Sequence, residues 1–351
     1  MQFHLNTSLK TYHTFGIDQV CQRLTIIESV EDLISVYRDP QWKSVPKFIL
    51  GRGSNVLFTT SYAGMLLVNR IQGLTHTQDE HHHYLHVSAG EDWPELVEWS
   101  VGHGIAGLEN LALIPGCMGS APIQNIGAYG VELKDVCDYV DYLCLSTLTI
   151  KRLPQSECQF GYRDSIFKHE LYGKAIIVAV GLTLAKAWQP KTEYGPLQAL
   201  GQQASAQQIF DTVCKVRREK LPNPSVQGNA GSFFKNPVVD HDHFTQLQTT
   251  HPDIVGYPVA GGVKLAAGWL IDKAGLKGVV VGGAQVHPKQ ALVIINQQGK
   301  ATAHDVIQLA TKVREVVELK YGVTLQPEVR FMGSEQETSL DKVIETNHEK
   351  S

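Results

Sequence analysis

No apolar stretch in this 351-residue sequence is long enough to cross a bilayer. The longest, Ala175 to Ala185, falls well short of the about 20 residues that a spanning helix requires. The first residues, Met1-Gln2-Phe3-His4-Leu5, lack the charged head and apolar core of a signal peptide. Both absences predict a soluble, cytoplasmic protein. Charge is also scarce, at 19% of residues with a net of -4. There is no basic field to neutralise phosphates or anionic lipid, so nucleic acid and membrane surfaces are not expected partners. The six cysteines, Cys21, Cys117, Cys137, Cys144, Cys158 and Cys214, form no CxxC pair and have no histidine at zinc-finger spacing. They read as reduced thiols in a reducing compartment. Residues His81-His82-His83, with His86, follow Thr77-Gln78-Asp79-Glu80 and read as a solvated loop leading into a strand, not as a metal site, which needs converging ligands. No metal is expected.

What the sequence does contain is apolar material, 43% of it, enough for two or three packed domains. Ser29-Val30-Glu31-Asp32 predicts a capped helix start, and Pro46 to Leu50 a strand stopping at Gly51. Gly51-Arg52-Gly53-Ser54-Asn55 is followed by Val56-Leu57-Phe58, which favours strand, so this loop does not open a helix as a Rossmann dinucleotide turn does. Asp92-Trp93-Pro94-Glu95 predicts a second capped helix with Trp93, Leu96, Val97 and Val101 on one face and Gly104 as its stop. Val136 to Ser146 and Ala175 to Leu184 read as strands. Ser205 to Lys220 reads as a helix closed by Leu221-Pro222-Asn223-Pro224, where a further domain is expected to begin. That domain is predicted to hold a helix ending at Gly275, a strand at Ala291 to Asn296, and an amphipathic helix from Asp305 with Val306, Leu309, Val313, Val316 and Val317 inward. The polar tail beyond Gly333 is expected to be mobile.

Three clusters can carry chemistry. The loop Gly51 to Asn55 offers close backbone approach and donors suited to a pyrophosphate, although alone it reads better as an ordinary tight turn. The segment Pro115-Gly116-Cys117-Met118-Gly119-Ser120-Ala121-Pro122-Ile123-Gln124-Asn125-Ile126-Gly127-Ala128-Tyr129-Gly130 places four glycines and two prolines among polar residues. Two such loops can grip opposite sides of one large cofactor, and a structural crossover is the alternative. In Asn229-Ala230-Gly231-Ser232-Phe233-Phe234-Lys235-Asn236-Pro237, Ser232 stands between a glycine turn and an aromatic pair. It lacks the GxSxG flanks of a hydrolase nucleophile and by itself reads as a cap or turn hydroxyl.

Taken together, the ordered segments Thr14-Phe15-Gly16, Gly51 to Leu57, Gly107-Leu108-Glu109, Ile114 to Gly130, Gly161-Tyr162-Arg163-Asp164-Ser165, Gly228 to Pro237 and Gln326-Pro327-Glu328-Val329-Arg330-Phe331 closely resemble the UDP-N-acetylenolpyruvoylglucosamine reductase family over nearly the whole chain. Lys191-Thr192-Glu193-Tyr194-Gly195-Pro196-Leu197 resembles the tyrosine-bearing loop of that family's first structural type. The resemblance implies an α+β fold: a two-part FAD-binding region of the vanillyl-alcohol-oxidase (PCMH) type plus a C-terminal α+β substrate-binding domain. The expected divisions are residues 1–67, 68–220 with the tyrosine loop near 190–197, 221–333, and a polar tail at 334–351.

The resemblance also implies an activity, the NADPH-dependent reduction of UDP-N-acetylglucosamine enolpyruvate to UDP-N-acetylmuramate through non-covalent FAD, in peptidoglycan precursor synthesis for cell-wall biogenesis, cell shape and division. By the same resemblance Ser232 is the proton donor, and Arg163 and Glu328 attend the enolpyruvyl carboxylate. Gly51, Arg52, Gly53, Ser54, Asn55, Val56, Leu57, Pro115, Gly116, Gly119, Ser120, Ile123, Gln124, Gly127, Ala128, Tyr129 and Arg163 are the expected FAD contacts. Tyr162, Tyr194, Lys220, Asn236 and Gln290 are the expected substrate contacts.

The chain departs from the family pattern in two places. His13 stands where asparagine is expected before Thr14-Phe15-Gly16, and Arg52 fills a position that is often acidic or small. Related flavoenzymes can attach FAD covalently through histidine, but His13 lies outside the expected pyrophosphate and ring loops. His287 is a rival acid to Ser232, with a structural hydrogen-bonding role as its other reading. Two further functions remain open at this point: a sugar or alcohol oxidase on the same flavin fold, and a non-catalytic nucleotide-sugar binder.

Overall fold

Local capping chemistry starts the helices. In the computed structural model, which describes residues 1–348, Ser29 caps α1 (Val30–Arg38) through a reciprocal capping box with Asp32. Asp92 caps α2 (Trp93–Gly102) by accepting from Glu95 N. Ser205 accepts from Gln208 N just before α3 (Ala206–Lys220). Gly104, after the end of α2, takes a φ of +72°, a left-handed conformation that ends the helix as its position suggested.

The chain forms two compact units. The first takes in Met1–Leu5, Arg23–Arg52 and Gly64–Glu219. Its main sheet is antiparallel, in the order Thr149–Pro154, Cys137–Cys144, Ala175–Ala185, His82–Ser88 and Leu74–Gln78. The β-branched run at 175–185 is its buried central strand. Trp93, Leu108, Val140, Val180, Ile209 and Val213 pack together beneath it, so α2, α3 and the sheet share one core. A second sheet pairs Lys47–Leu50 in parallel with Tyr62–Asn69, and its end stops at Gly51 as read. His82 and His83 lie in the strand rather than in the loop expected for them, and His83 Nδ1 lies 3.0 Å from His76 Nε2 across the hairpin. All six cysteines are buried, and none is in a disulfide.

The second unit takes in Asn6–Gln22, Gly53–Ala63 and the chain from Lys220 onward. Its four-stranded sheet runs Gly228–Ser232, Val293–Asn296, Ala284–Val286, Val280–Val281. A three-stranded sheet joins Glu337–Thr338, Arg330–Met332 and Val56–Phe58, the last two in parallel. Another holds Val238–Val239, Gly262–Leu265 and Gly256–Val259. Helices α4 (His241–Thr250), α5 (Ala267–Lys273), α6 (Ala303–Tyr321) and α7 (Leu340–His348) complete it. The core gathers Phe233, Phe234, Leu265, Leu270, Val306, Leu309, Val313 and Val317, with Val316 partly buried beside them.

Two local expectations need correction. Helix α6 starts before Asp305: Thr302 is the cap, and Asp305 is the third helical residue that closes the box. The segment beyond Gly333 is not a loose tail through its described length. Glu337–Thr338 pairs with Phe331 and Met332, Arg330 bonds both carboxylate oxygens of Glu337, at 2.9 and 2.8 Å, and Leu340 is buried in the core. A polar composition hid a strand and a helix because only a few apolar residues, Leu340, Val343 and Ile344, and two ion pairs, the second between Arg314 and Asp341, hold it down. No described helix is long and apolar enough to cross a membrane.

Candidate active site

In the first unit, the opening residues of the first glycine loop and the long glycine-rich segment pack on each other. Gly51 lies so close to Cys117 that a Cβ there would overlap its Sγ. Arg70 Nη1 donates to Gly51 O at 2.9 Å, and Arg52 Nε lies 3.3 Å from Asp92 Oδ2. Asp92 bridges Cys117 in turn. Gly116 and Gly119 are buried, while Ser120 is half-buried and folds its hydroxyl onto Cys117 O at 2.8 Å.

The segment carrying Arg163 is stitched to the same loop. Ser165 Oγ donates to Ile123 O at 2.7 Å, Asn125 Nδ2 donates to Gly161 O at 3.0 Å, and Arg163 Nη2 donates to Gly127 O at 3.0 Å. Arg163 itself has a φ of +54°, a left-handed conformation that costs a bulky side chain free energy. Lys168 Nζ holds its carbonyl at 2.7 Å. Strain kept in place by four bonds fixes where the guanidinium sits. Tyr162 is exposed beside it, and Pro115 is also exposed, whereas Gln124, Ala128 and Tyr129 are half-buried. Tyr194 is 56% exposed, at the edge of a short 3₁₀ turn.

In the second unit, Gly53 is buried, with Ser54 and Asn55 half-buried and Val56 and Leu57 in the core. Thr14 N and Oγ1 both donate to Gly53 O, at 3.0 and 3.3 Å. Thr14 Oγ1 also donates to Asn229 O at 2.6 Å, so Thr14-Phe15-Gly16 clasps the loop at 53 and the serine strand together. Ser232 ends its strand opposite Val293 after an irregular register step. Gly231 makes that step with a φ of +72°, its missing Cβ leaving open space, and its N–H donates to Asn229 Oδ1 at 3.0 Å. Phe233 and Phe234, each 1% exposed, lock the next two positions.

Glu328 lies on the neighbouring extended segment. Its N–H donates to Phe233 O at 2.8 Å, Lys235 N donates to Gln326 O at 2.9 Å, and Asn55 Nδ2 donates to Glu328 O at 3.2 Å. The structure therefore brings Ser232, Glu328 and Asn55 into one hydrogen-bonded frame. Asn236 Oδ1 accepts from Ala267 N at 3.0 Å and so caps α5. Gln290 Oε1 is 3.4 Å from Leu292 N. Lys220 is exposed as the last residue of α3.

The two histidines singled out in the sequence, His13 and His287, have structural accounts. His13 is 4% exposed, its Nε2 3.0 Å from Ile17 O and its ring edge-on to Phe58, and burial lowers its pKa. It is a packed histidine. His287 Nδ1 accepts from Gln290 N at 3.1 Å, and burial lowers its pKa also, which leaves it neutral and engaged in a turn. Sequence reasoning missed three residues. Thr14 sits in the Thr14-Phe15-Gly16 motif, which gives no sign that its side chain joins two loops. Asn110 bonds two loops at once. Arg217, on α3, carries a buried Nε without a hydrogen bond and lies near Tyr129 and the cationic Arg163. None had a local signal beyond its polar type.

These residues fit FAD. A buried guanidinium nitrogen without a hydrogen bond calls for an anion, and Arg217, beside Tyr129 of the glycine-rich segment, presents one. A flavin cofactor supplies a pyrophosphate of that charge.

Residues 22–148 match the family pattern described as FAD binding domain, and residues 223–332 match UDP-N-acetylenolpyruvoylglucosamine reductase, C-terminal domain. The fold and the loops thus define a flavin-dependent oxidoreductase with FAD as its cofactor. The chain is 60% identical to the UDP-N-acetylenolpyruvoylglucosamine reductase of Vibrio cholerae over 97% of its own length and 98% of that protein's. It is 54% identical to the enzyme of the same name from Pasteurella multocida over 96% and 99%. The crystal structure of the Thermus caldophilus reductase superposes with a TM-score of 0.65 at 25% identity, covering 94% of this chain and 98% of that one. The chain belongs to the UDP-N-acetylenolpyruvoylglucosamine reductase family.

Proposed function

We propose that the protein reduces the enolpyruvyl group of UDP-N-acetylglucosamine enolpyruvate to the lactyl ether of UDP-N-acetylmuramate in the cytoplasm, with NADPH as electron donor and Ser232 as proton donor. The observation that carries the roles is the bond from Glu328 N to Phe233 O at 2.8 Å, which registers the serine strand against the glutamate segment. Bound FAD would supply the hydride, drawn from NADPH, that reduces the terminal vinyl carbon. Negative charge then spreads over the adjacent carbon and the carboxylate as an enediolate, and stabilising it is the main task left to the side chains.

Arg163 answers that charge. It is permanently cationic, can bond two oxygens and is held at Gly127, so it needs little reorganisation as charge develops. A donor so placed lowers such a barrier by about 3 kcal/mol. Ser232 gives its hydroxyl proton to the carbon next to the carboxylate, completing CH3–CH(OR)–COO⁻. Phe233 N donates to Leu292 O at 2.7 Å, and a strand so fixed supports proton delivery from one side, which would set the product's stereochemistry. Glu328 as an anion would oppose the developing charge, so it works as a neutral acid or as the acceptor that orients a donor.

Tyr194, Lys220, Asn236, Tyr162 and Gln290 hold the nucleotide diphosphate sugar. Arg52, Ser54, Asn55 and the segment 115–129 hold the cofactor. Purified yellow protein that oxidises NADPH only when the enolpyruvyl nucleotide is supplied supports this reading. Substrate-driven peroxide release would reverse it in favour of an oxidase, and a colourless protein would favour a binding role.

A further inference from the structure

The loop bearing Tyr194 is fastened to the loop bearing Tyr129 through one side chain. Asn110 Nδ2 donates to Tyr129 O at 2.9 Å and to Lys191 O at 2.9 Å. Both partners are acceptors, so the amide must point its NH2 there. Asn110 is 1% exposed, and its Oδ1 is buried without a hydrogen bond to the protein. A buried acceptor left unmet is costly, so the residue's worth lies in what its NH2 holds in place. The far end of the loop is closed as well: Thr192 Oγ1 donates to Gly201 O at 3.2 Å, and Leu197, 1% exposed, pins the middle. Tyr194 stands out from this frame.

A second contact acts on the ring itself. Gly130, next to Tyr129, has a φ of +81°, and a Cβ there would overlap the Tyr194 ring. The ring is seated on the backbone of the cofactor loop.

We propose that Asn110 and Gly130 are positioning residues that set Tyr194 from the cofactor loop, so that the loop holding Tyr129 fixes the geometry of the substrate loop. The proposal rests on Tyr194 as a substrate contact. Lys191 provides a readout independent of turnover, because it is exposed and its own carbonyl is the one Asn110 holds. In FAD-loaded protein, trypsin is expected to cut the Lys191–Thr192 bond about tenfold faster in Asn110→Ala than in the parent. The KM for the enolpyruvyl nucleotide is expected to rise about tenfold, with kcat moving by less than about threefold.

Gly130→Ala supplies a test should Asn110→Ala fold poorly. It raises KM in the parent, but raises it by a smaller factor in a Tyr194→Ala background, where the overlap is gone and only the cost of the left-handed backbone remains. Equal effects in both backgrounds would overturn the proposal. Parental cleavage and KM in a folded Asn110→Ala, with KM raised in Tyr194→Ala, would overturn it alone. An unchanged KM in Tyr194→Ala would remove the substrate role of Tyr194, and this proposal with it.

Discussion

Thr14 and Asn229, 215 residues apart, hold each other by two hydrogen bonds: Asn229 N donates to Thr14 O at 3.0 Å, and Thr14 Oγ1 donates to Asn229 O at 2.6 Å. The pair anchors the strand that ends in Ser232. Thr14→Val keeps the shape and removes the hydroxyl. It is expected to cost about 1–2 kcal/mol of stability in urea unfolding. It should slow substrate-driven flavin reoxidation more than flavin reduction by NADPH; equal slowing would mean the clasp serves stability alone.

Arg52→Met preserves the apolar stem of the side chain and removes the charge beside Gly51. The dissociation constant for FAD should rise about tenfold, and its dependence on salt should weaken. Titrating apoprotein with FAD by flavin fluorescence at two ionic strengths reads both. An unchanged constant would leave Arg52 only its pairing with Asp92.

Lys220 is exposed at the end of α3, so its removal costs the fold little. Lys220→Ala should weaken binding of the nucleotide sugar by about tenfold. An unchanged dissociation constant in calorimetry would take it out of the substrate site.

His13 makes acid stability informative. Burial lowers its folded pKa below the ordinary 6.5. As pH falls from 6.5, the unfolded chain takes up a proton first, so stability present above 6.5 is lost on the acid side. His13→Asn, the residue the family pattern suggests, should lose less stability between pH 7.5 and 5 than the parent. The same denaturant-midpoint shift in both proteins would contradict the assignment.

The sequence announces structure where the cause is local and hides it where the cause is distant. Ser29, Asp92 and Ser205 signal their helices because each cap and its target lie three residues apart. Asp305 misleads by the same logic, since it closes a box that Thr302 opens. The stretches 6–22 and 53–63 cluster with the C-terminal unit through contacts such as Thr14 to Asn229, which no window of sequence contains. Glycine clusters point to the cofactor loops because close approach needs small residues. Asn110 stays hidden because its partners, Tyr129 and Lys191, lie 19 and 81 residues away. The roles proposed for Ser232, Arg163 and Glu328 rest on motif order; the structure adds the frame that holds each backbone.

The central claim is that Ser232 donates the proton. Stopped-flow absorbance of Ser232→Ala separates the half-reactions: NADPH should reduce its flavin at the parental rate, while the enolpyruvyl nucleotide should reoxidise it at least ~10³-fold more slowly. Reoxidation at the parental rate, or equal slowing of both halves, would contradict the account.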